Sequence, residues 1–381
     1  MVTRQTAPDR RTFLKATAGT ASVIALAGCI GGDDDDGNGN GNGTANGDDT
    51  DLDFGGETID VRLNAGALAQ HQRQNVIPLV EDKYNINVNE ESSTTGQMIA
   101  EIASNPNNPP DVVDINVNGI FEAEREGWLA SISEYTDIVE NYDDVYDEVK
   151  HYDDHGVSWY LGEVSPVINE DQWDEIPGSW ADVIDQSDRI ALAPFSWTQG
   201  LILLLASSIA TGESFDSPNL DIDAGFDWME EHIKPSHTHT IEGITQANQL
   251  ITQNNADVLL PAWDIWVIDP FQRGEPIRPM RRPDPVGIAA HQGVAVLEEG
   301  NVEPAMAYVN ELLSVEAQEQ HPEIVGTTPT NREAEIPQLL EDFGAPTIED
   351  VRNDELMYPD FEFMWANQDE WSERWNQIFV D

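Results

Sequence analysis

The sequence predicts an α/β fold in which mostly parallel sheets are flanked by helices. Two observations lead to this prediction. Strand-like segments alternate with helix-like segments from Glu57 onward, an order typical of parallel strands joined by crossover helices. The chain has 381 residues, is 39% hydrophobic and contains 11 tryptophans, which is enough apolar material for a sizeable core in one large or two ordinary domains.

The first half of this body contains three strand–helix units. Alternating polar and apolar residues or short apolar runs predict strands at 58–63, 86–88 and 111–117. Apolar residues at helical spacing predict helices around 76–80, 98–102 and 123–129. Open α/β sheets bind ligands beyond the carboxyl ends of their strands. The small polar residues found there are therefore candidate ligand-binding residues: Asn64, Thr94, Thr95 and Asn118.

The second half continues the pattern with more apolar segments. Strands are predicted at 189–193, 256–262 and 293–297, and helices at 201–210 and 302–313. The loop after the first of these strands contains Ser196 and Trp197, two further candidates for ligand contact. Trp371, Trp375 and Phe379 recur every four residues and are predicted to form the buried stripe of a C-terminal helix.

The charge of the chain excludes two classes of partner. There are 72 acidic and 18 basic residues, and the formal net charge is −54. Nucleic acids and anionic membrane surfaces are both bound by clustered lysine and arginine, which this composition does not supply. A surface this acidic suits molar salt, where the Debye length is about 3 Å and self-repulsion is screened. We infer a haloarchaeal source.

The N-terminal residues have the features of an export and lipidation signal. Arg10 and Arg11 precede an apolar run that is too short to span a bilayer, and together they resemble a twin-arginine signal peptide. Leu-Ala-Gly-Cys at 26–29 resembles a lipobox. Residues 1–28 are therefore predicted to be cleaved, and Cys29, the only cysteine, to carry a lipid. The Gly-, Asn- and Asp-rich residues of 29–56 are predicted to form a disordered tether.

Short motifs spread over 57–381 carry a family resemblance. They include Asn-Pro-Pro-Asp-Val-Val at 108–113, Glu-Gly-Trp-Leu at 126–129, Pro-Gly-Ser-Trp at 177–180 and Gly-Thr-Thr-Pro-Thr-Asn at 326–331. In this order and spacing they resemble the extracellular solute-binding proteins of ABC importers, in the type II periplasmic-binding-protein class. The polyamine-binding branch is the most similar.

This resemblance implies a two-lobed molecule with a ligand cleft between the lobes. Chain crossings are expected near 161–165, 263–264 and 300, giving one lobe of 57–163 with 264–299 and another of 164–263 with 300–381. The resemblance implies a monomer without catalytic activity, cofactor or metal, whose lobes close on a solute by a hinge motion. Its expected partner is an ABC permease with its ATPase, at the extracellular face of the cell membrane.

The polyamine branch implies carboxylates for the ammonium groups and tryptophans for the methylenes. Trp263 and Asp264, at a predicted crossing, fit that chemistry, and Trp197 is expected to face them across the cleft. Trp266 and His291 are further candidates. The loop around Trp197 has no carboxylate, so a sugar, a thiamine-like compound or an anionic metabolite remains the alternative ligand.

Metal binding and catalysis are two further functional hypotheses. His232, His237 and His239 form the only histidine cluster, but their spacing is unusual for one helix face and exposed histidines are common, so no metal site is assigned. The sequence also lacks the adjacent tyrosine pair of ferric-iron binders. A secreted hydrolase is a remote alternative, without a Gly-x-Ser-x-Gly, His-Glu-x-x-His or Walker motif to support it.

The acidic composition generates a prediction about salt. Dialysis from molar salt into dilute buffer removes the screening of the 72 acidic side chains. It should unfold the protein, because repulsion between like charges destabilises a compact state. Loss of the near-ultraviolet circular dichroism signal would report the unfolding. An unchanged spectrum in dilute buffer would contradict adaptation to salt.

Overall fold

The structure is a computed structural model that describes residues 52–151, 154–290 and 292–380. Residues 1–51 lie outside the described part, and the predicted signal residues Arg10, Arg11 and Cys29 lie there with them. The strands are β1 (Glu57–Asn64), β2 (Ile86–Ser93), β3 (Val112–Asn116), β4 (Lys150–His151), β5 (Gly156–Ser158), β6 (Tyr160–Asn169), β7 (Ile190–Leu192), β8 (His237–Thr240), β9 (Val258–Trp263), β10 (Ile277–Pro279), β11 (Gly287–Ala290), β12 (Gln292–Val296), β13 (Thr328–Pro329) and β14 (Leu356–Met357).

Most of the helices are short and lie between these strands. They are α1 (Ala67–His71), α2 (Ile77–Tyr84), α3 (Thr95–Ser104), α4 (Val117–Arg125), α5 (Trp180–Asp185), α6 (Phe195–Thr198), α7 (Leu201–Thr211), α8 (Ile222–His232), α9 (Ile244–Thr252), α10 (Ile268–Gln272), α11 (Val302–Leu312), α12 (Val315–Val325), α13 (Gln338–Phe343), α14 (Ile348–Arg352) and α15 (Phe361–Phe379). A π-helical turn, Gln72–Val76, joins α1 to α2, and six 3-10 turns complete the described part. None of the described helices is long and apolar enough to cross a membrane.

A first sheet has the strand order β2-β1-β3-β12-β5-β4. β1 runs parallel to β2 and β3, because the segments after β1 and β2 form crossover helices. β12 enters from far along the chain and pairs antiparallel with both β3 and β5. Residues of α11 and α12 pack into the core of this sheet, among them Tyr308 and Leu312. We call this unit the first lobe.

A second sheet has the order β14-β11-β6-β9-β7-β8, and β10 and β13 also pair with β6. All ten residues of β6 are buried, because strands pair with both of its edges and helices cover both of its faces. Its core contains α7 and the C-terminal helix α15. The stripe predicted on α15 is present: Trp371 and Trp375 are buried there, with Phe379 partly buried beside them. We call this unit the second lobe.

The two sheets confirm the α/β class but are mixed rather than mostly parallel. The parallel pairing holds for β2-β1-β3 and for β9-β7-β8. β6 is antiparallel to β9, β10, β11 and β13. β6 enters the second sheet directly from the first sheet, whereas β7, β8 and β9 are joined by helices that return each strand in the same direction.

The sheet pairing divides the chain differently from the predicted lobe boundaries. The segment 264–299 is predicted in the first lobe, whereas β10 and β11 pair with β6 in the second. The segment 300–381 is predicted in the second lobe, whereas α11 and α12 pack in the first. The chain passes between sheets at Trp159, again between β11 and β12, and a third time between β12 and β13, which pairs with β6. The crossing expected at 263–264 is corrected, because the chain turns there within one sheet.

The folded body also begins before the predicted end of the tether. Leu52 and Phe54 pack against the first-lobe core. The Phe54 N–H donates to the Tyr84 carbonyl at 3.0 Å, and the Gly56 N–H donates to the Asn85 carbonyl at 2.7 Å. The described residues 52–56 are therefore part of the first lobe, because two apolar side chains and paired backbone groups hold them there.

A close helix contact in the second lobe makes a prediction about stability. Gly225 of α8 faces α7 so closely that an added Cβ would lie 2.9 Å from the Ser207 nitrogen and 3.0 Å from the Leu203 oxygen. Gly225→Ala should cost about 1–3 kcal/mol through this overlap, against a gain of about 1 kcal/mol in helix propensity. Gly178→Ala is the control, since no atom lies within 4 Å of its added Cβ. Equal unfolding midpoints in denaturant for the two variants would contradict the prediction.

Candidate functional site

A cavity of about 60 Å³ lies between the first lobe and the second. It has room for only a handful of water molecules, and side chains of the two lobes meet at it. The first lobe contributes the turn from β3 into α4, and the second contributes the α6 loop, the end of β9, β11 and the start of α15. The lining residues are Asn116, Val117, Asn118, Val164, Trp197, Thr198, Gln199, Leu201, Trp263, Ala289, Ala290, Pro359 and Phe361.

The amides of Asn118 and Gln199 join the two lobes directly. The Asn116 side chain caps α4 by accepting from the Gly119 N–H at 2.9 Å, which presents Asn118 in the first turn. Asn118 Nδ2 then donates to Gln199 Oε1. Gln199 has a left-handed backbone, with φ 49°, a conformation few non-glycine residues adopt. This contact places a predicted residue, Asn118, beside one that the sequence analysis did not select.

Gly200 allows Gln199 to reach the cavity. Its φ is 106°, and an added Cβ would lie 2.7 Å from the ring of Trp371. Only glycine combines that backbone with such an approach. The buried tryptophan stripe of α15 thus supports the loop that presents Gln199, which links a predicted core feature to the site.

Three tryptophans form the second-lobe wall. Trp197 and Trp263 line the cavity and are half-buried. Trp266 is only 6% exposed and lies behind them, with ring centroids 5.7 Å from Trp197 and 5.1 Å from Trp263. The structure thus brings Trp197 and Trp263 together at the cavity, but both lie on the second-lobe wall. The expectation that Trp197 faces Trp263 across the cleft is therefore corrected. Trp266 supports them from the core.

Asp264 is not placed as a ligand carboxylate. Its side chain is completely buried, and both oxygens have partners within the protein. Oδ2 accepts from the Glu163 N–H at 2.9 Å and from Arg281 Nη1 at 3.2 Å, and Oδ1 accepts from the Ile265 N–H at 2.8 Å. The expectation that Asp264 faces an amine in the cleft is therefore corrected. No local pattern indicates that an arginine 17 positions later neutralises it.

Asp264 belongs to a buried ionic cluster under the cavity. Glu163 of β6 lies 3.5 Å from Arg281 and 3.7 Å from Arg282, and it accepts from the Arg282 N–H at 2.6 Å. Burial raises the pKa of both carboxyls, that of Glu163 to about 7, and the neighbouring arginine charges offset only part of the rise. Because the charges are satisfied internally, the cluster holds β6 and β9 together and offers no free charge to a solute.

The other predicted strand-end residues do not line the cavity. The Thr94 hydroxyl caps α3 by accepting from the Gln97 N–H, and Thr95 Oγ1 accepts from the Asn116 N–H at 3.2 Å. The Asn64 N–H donates to the buried carboxyl of Asp114, whose pKa burial raises to about 7. Thr95 thus contacts the β3–α4 turn, Asn64 contacts β3 and Thr94 caps α3. All three remain proposals as ligand contacts.

Another predicted residue, Ser196, does not line this cavity. Ser196 is exposed and lines a separate surface pocket with Trp375 and Phe379. His291 lies outside the described residues.

A carboxylate that the sequence analysis did not select lies next to the cavity. Glu122 is one turn after Asn118 on α4, and both residues line a small adjoining pocket with Gln199, Met364, Trp365 and Gln368. Burial, and to a smaller extent the charge of Glu126, raise the pKa of Glu122. The i, i+4 spacing of Asn118 and Glu122 on a predicted helix could have found it, had that helix been predicted to begin at Val117 instead of Ala123.

The histidine cluster does not form a metal site. His232 Nδ1 lies 2.7 Å from Asp185 and the ring stacks on Trp228. His237 packs edge-on against Phe379, and His239 contacts Thr238. No group of three His, Cys, Asp or Glu residues in the described part of the chain is arranged to hold a metal ion.

The architecture matches that of solved solute-binding proteins. An ABC transporter substrate-binding protein from Bradyrhizobium japonicum matches with a TM-score of 0.69 at 19% identity, covering 85% of this chain and 100% of its own. The Atu4243 GABA receptor matches with a TM-score of 0.69 at 20% identity, covering 85% and 98%. AfuA from Actinobacillus pleuropneumoniae, solved with fructose-6-phosphate, has a TM-score of 0.65 at 20% identity, covering 85% and 99%.

No protein-family model and no curated protein matches the chain. At these identities the structural matches show the fold, and it is the two-lobed periplasmic-binding-protein fold that the sequence predicts.

The internal pairing of Asp264 makes a prediction about stability. Asp264→Asn should lower the free energy of unfolding by about 3 kcal/mol, because it leaves part of a buried arginine charge uncompensated. Asp269→Asn is the matched control, since its pair with Arg273 is exposed and is worth about 1 kcal/mol or less. Denaturant unfolding in molar salt measures both changes. If the Asp264→Asn protein kept its stability and lost only solute affinity, the internal role of Asp264 would be contradicted and a role in solute binding supported.

Proposed function

We propose that the protein is the solute-binding subunit of an ABC importer and is not an enzyme. One observation carries the proposal: the cavity is closed by residues from both lobes of a periplasmic-binding-protein fold, with Asn118 from one and Gln199 from the other in direct contact. Closure of two lobes around a buried solute is a hinge mechanism of binding. The partner would be a permease with its ATPase, and the protein would act as a monomer.

The export signal and the lipid anchor complete this proposal. Arg10, Arg11 and Cys29 support twin-arginine export followed by lipid attachment. The tether would then hold the folded body at the extracellular face of the membrane. The composition supports a haloarchaeal source, because 72 acidic residues suit a medium that screens their repulsion.

A small organic amine, such as a short polyamine, is the favoured solute. Trp197 and Trp263 offer aromatic faces to methylenes and to an ammonium group. Glu122 lines the small pocket that adjoins the cavity, and it would supply the carboxylate missing from the α6 loop. No lysine or arginine is among the described lining residues, which counts against an anionic metabolite.

A neutral sugar is the second candidate. The amides of Asn116, Asn118 and Gln199 can each donate to and accept from hydroxyl groups, and tryptophan faces can pack against a sugar ring. The similar structures do not agree on a ligand class, since one is named a GABA receptor and another holds fructose-6-phosphate. The two candidates therefore differ in whether the Glu122 carboxylate pairs with a charged group of the solute, as it would with an amine but not with a neutral sugar.

A thermal-shift screen in molar salt, followed by a pair of variants, tests both parts. Putrescine, spermidine, GABA, glucose, fructose-6-phosphate and thiamine would be compared. A solute at 100 times its dissociation constant adds about 2.7 kcal/mol of stability and raises the unfolding midpoint. Glu122→Gln should weaken an amine by about tenfold or more, because a charge-assisted hydrogen bond contributes about 1.5–3 kcal/mol.

Glu124→Gln, on the same helix but not in either pocket lining, is the control and should leave affinity unchanged. A midpoint raised by glucose alone, with no effect of Glu122→Gln, would replace the amine by a sugar. The absence of a shift with any transported solute class would count against the importer function.

A further inference from the structure

A helix contact beyond the cavity joins the two lobes independently of any solute. The Arg125 guanidinium lies over the ring of Trp365, with its central carbon 4.7 Å from the ring centroid. The Phe121 ring meets the same tryptophan edge-on at 6.1 Å. Arg125 Nη1 also lies 3.4 Å from Glu362 Oε1. Arginine stacked on the face of tryptophan is the favourable geometry for a cation–π contact.

The two helices in this contact belong to different lobes. α4 follows β3 directly, and its Ile120 and Ala123 are in a first-lobe core. α15 is held in the second-lobe core by Met364, Trp371 and Trp375. A hinge motion that opens the cleft must therefore separate Arg125 from Trp365.

One face of α4 carries the contacts with α15 and with Gln199. Asn118, Phe121, Glu122 and Arg125 are spaced three to four residues apart, so they lie along one side of the helix. Asn118 and Glu122 border the cavities. Phe121 and Arg125, on the same side of the helix, reach α15. Solute contact and lobe contact are thus placed on the same rigid element.

We propose that the stacking of Arg125 on Trp365 is a latch that favours the closed lobes before solute binds. Arg125 is then a positioning residue: it sets the affinity for solute through the closed population, without touching the solute. Its effect on affinity rests on the proposed solute-binding function, but the closure itself does not. A preformed closed state raises apparent affinity, because less binding free energy is spent on the conformational change.

The stacking contributes more to this latch than the ion pair. The Arg125 and Glu362 side chains are 41% and 75% exposed, and exposed ion pairs contribute little and are screened by salt. The contact with the tryptophan face depends on packing as well as charge, so it persists in molar salt. Glu362→Gln should therefore change closure less than Trp365→Leu does.

The test measures the lobe separation without solute. The full chain carrying Cys29→Ser would be spin-labelled at Glu126→Cys beside α4 and Asp369→Cys on α15, both exposed positions. Electron-spin distance distributions would be recorded in molar salt. Arg125→Gln and Trp365→Leu should each raise the ratio of open to closed molecules by about fivefold, as expected for one partly exposed cation–π contact.

A matched control exists within the second lobe. Arg374 lies 4.3 Å over the Phe226 ring and pairs with Asp223 and Asp227, so it has the same chemistry without spanning the cleft. Arg374→Gln should leave the distance distribution unchanged. Distributions for Arg125→Gln that equal those of the parent would overturn the latch. So would a shift of the same size in Arg374→Gln, since it would reflect general loosening.

Solute affinity separates the latch from the proposed function. With a solute from the screen, Arg125→Gln and Trp365→Leu should each raise the dissociation constant by about the factor by which they open the lobes. The double variant should add little to either one, because both remove the same contact. Opening without solute, in a protein that binds no solute, would support the latch and contradict the importer function. Tight binding unaffected by either variant, with unchanged distances, would contradict the latch alone.

Discussion

The geometry of the cleft depends on one buried ion pair, between Asp264 and Arg281. The carboxylate accepts from the N–H of Glu163 on β6 and from the guanidinium of Arg281. It thereby fixes the end of β9 against the central strand of the second sheet. Gly162 leaves the room for this, since a Cβ there would lie 2.8 Å from Asp264 Oδ1. Trp263 directly precedes Asp264 in the chain. The buried Asp264–Arg281 pair therefore positions Trp263 in the cavity wall, although neither charged group lines the cavity.

A buried pair of this kind is better suited to fixing geometry than to adding stability. Removing two charges from water costs about as much as their attraction returns. Breaking the pair is expensive, however, because a buried charge is left alone. The cluster of Glu163, Asp264, Arg281 and Arg282 therefore resists any rearrangement of β6 against β9. The second-lobe wall can move only as part of the lobe, as a hinge mechanism requires.

Local sequence predicts those elements whose pattern is set by their own residues. β1 alternates along its length, and α7 and α15 carry apolar residues at helical spacing, so local periodicity is sufficient. β6 is predicted only as a crossing because it contains Glu163 and Pro166, two residues unusual in a central strand. Its ten buried positions are a consequence of strands that arrive 90 or more residues later in the chain. No local pattern could show them.

The same reasoning explains the errors in the candidate site. Asp264 beside Trp263 has the composition of an amine site, but the composition does not tell whether the carboxylate faces a cavity or an arginine. Glu122 escapes selection because the helix is predicted to begin at Ala123 instead of Val117, and because an acid among 72 acidic residues is not informative by itself. For both carboxylates, the role depends on burial and on residues distant in sequence: Arg281 for Asp264, and the pocket residues Gln199 and Trp365 for Glu122. Trp197 can be selected because a tryptophan in a loop after a strand has few other places to pack.

Molar salt explains how a very acidic surface can accompany a cavity with almost no charged lining residues. Salt at molar concentration screens exposed charges within about 3 Å, so long-range attraction cannot steer a cation into the cleft. Recognition must then rest on contacts that salt does not weaken: amide hydrogen bonds, aromatic faces and a desolvated carboxylate. The described cavity lining has the first two, and Glu122 adjoins it. The contact between Arg125 and Trp365 follows the same rule, since it brings a charge onto an aromatic ring rather than relying on an exposed acid. In the proposed halophilic setting, solute binding and lobe closure would thus both be insensitive to molar salt.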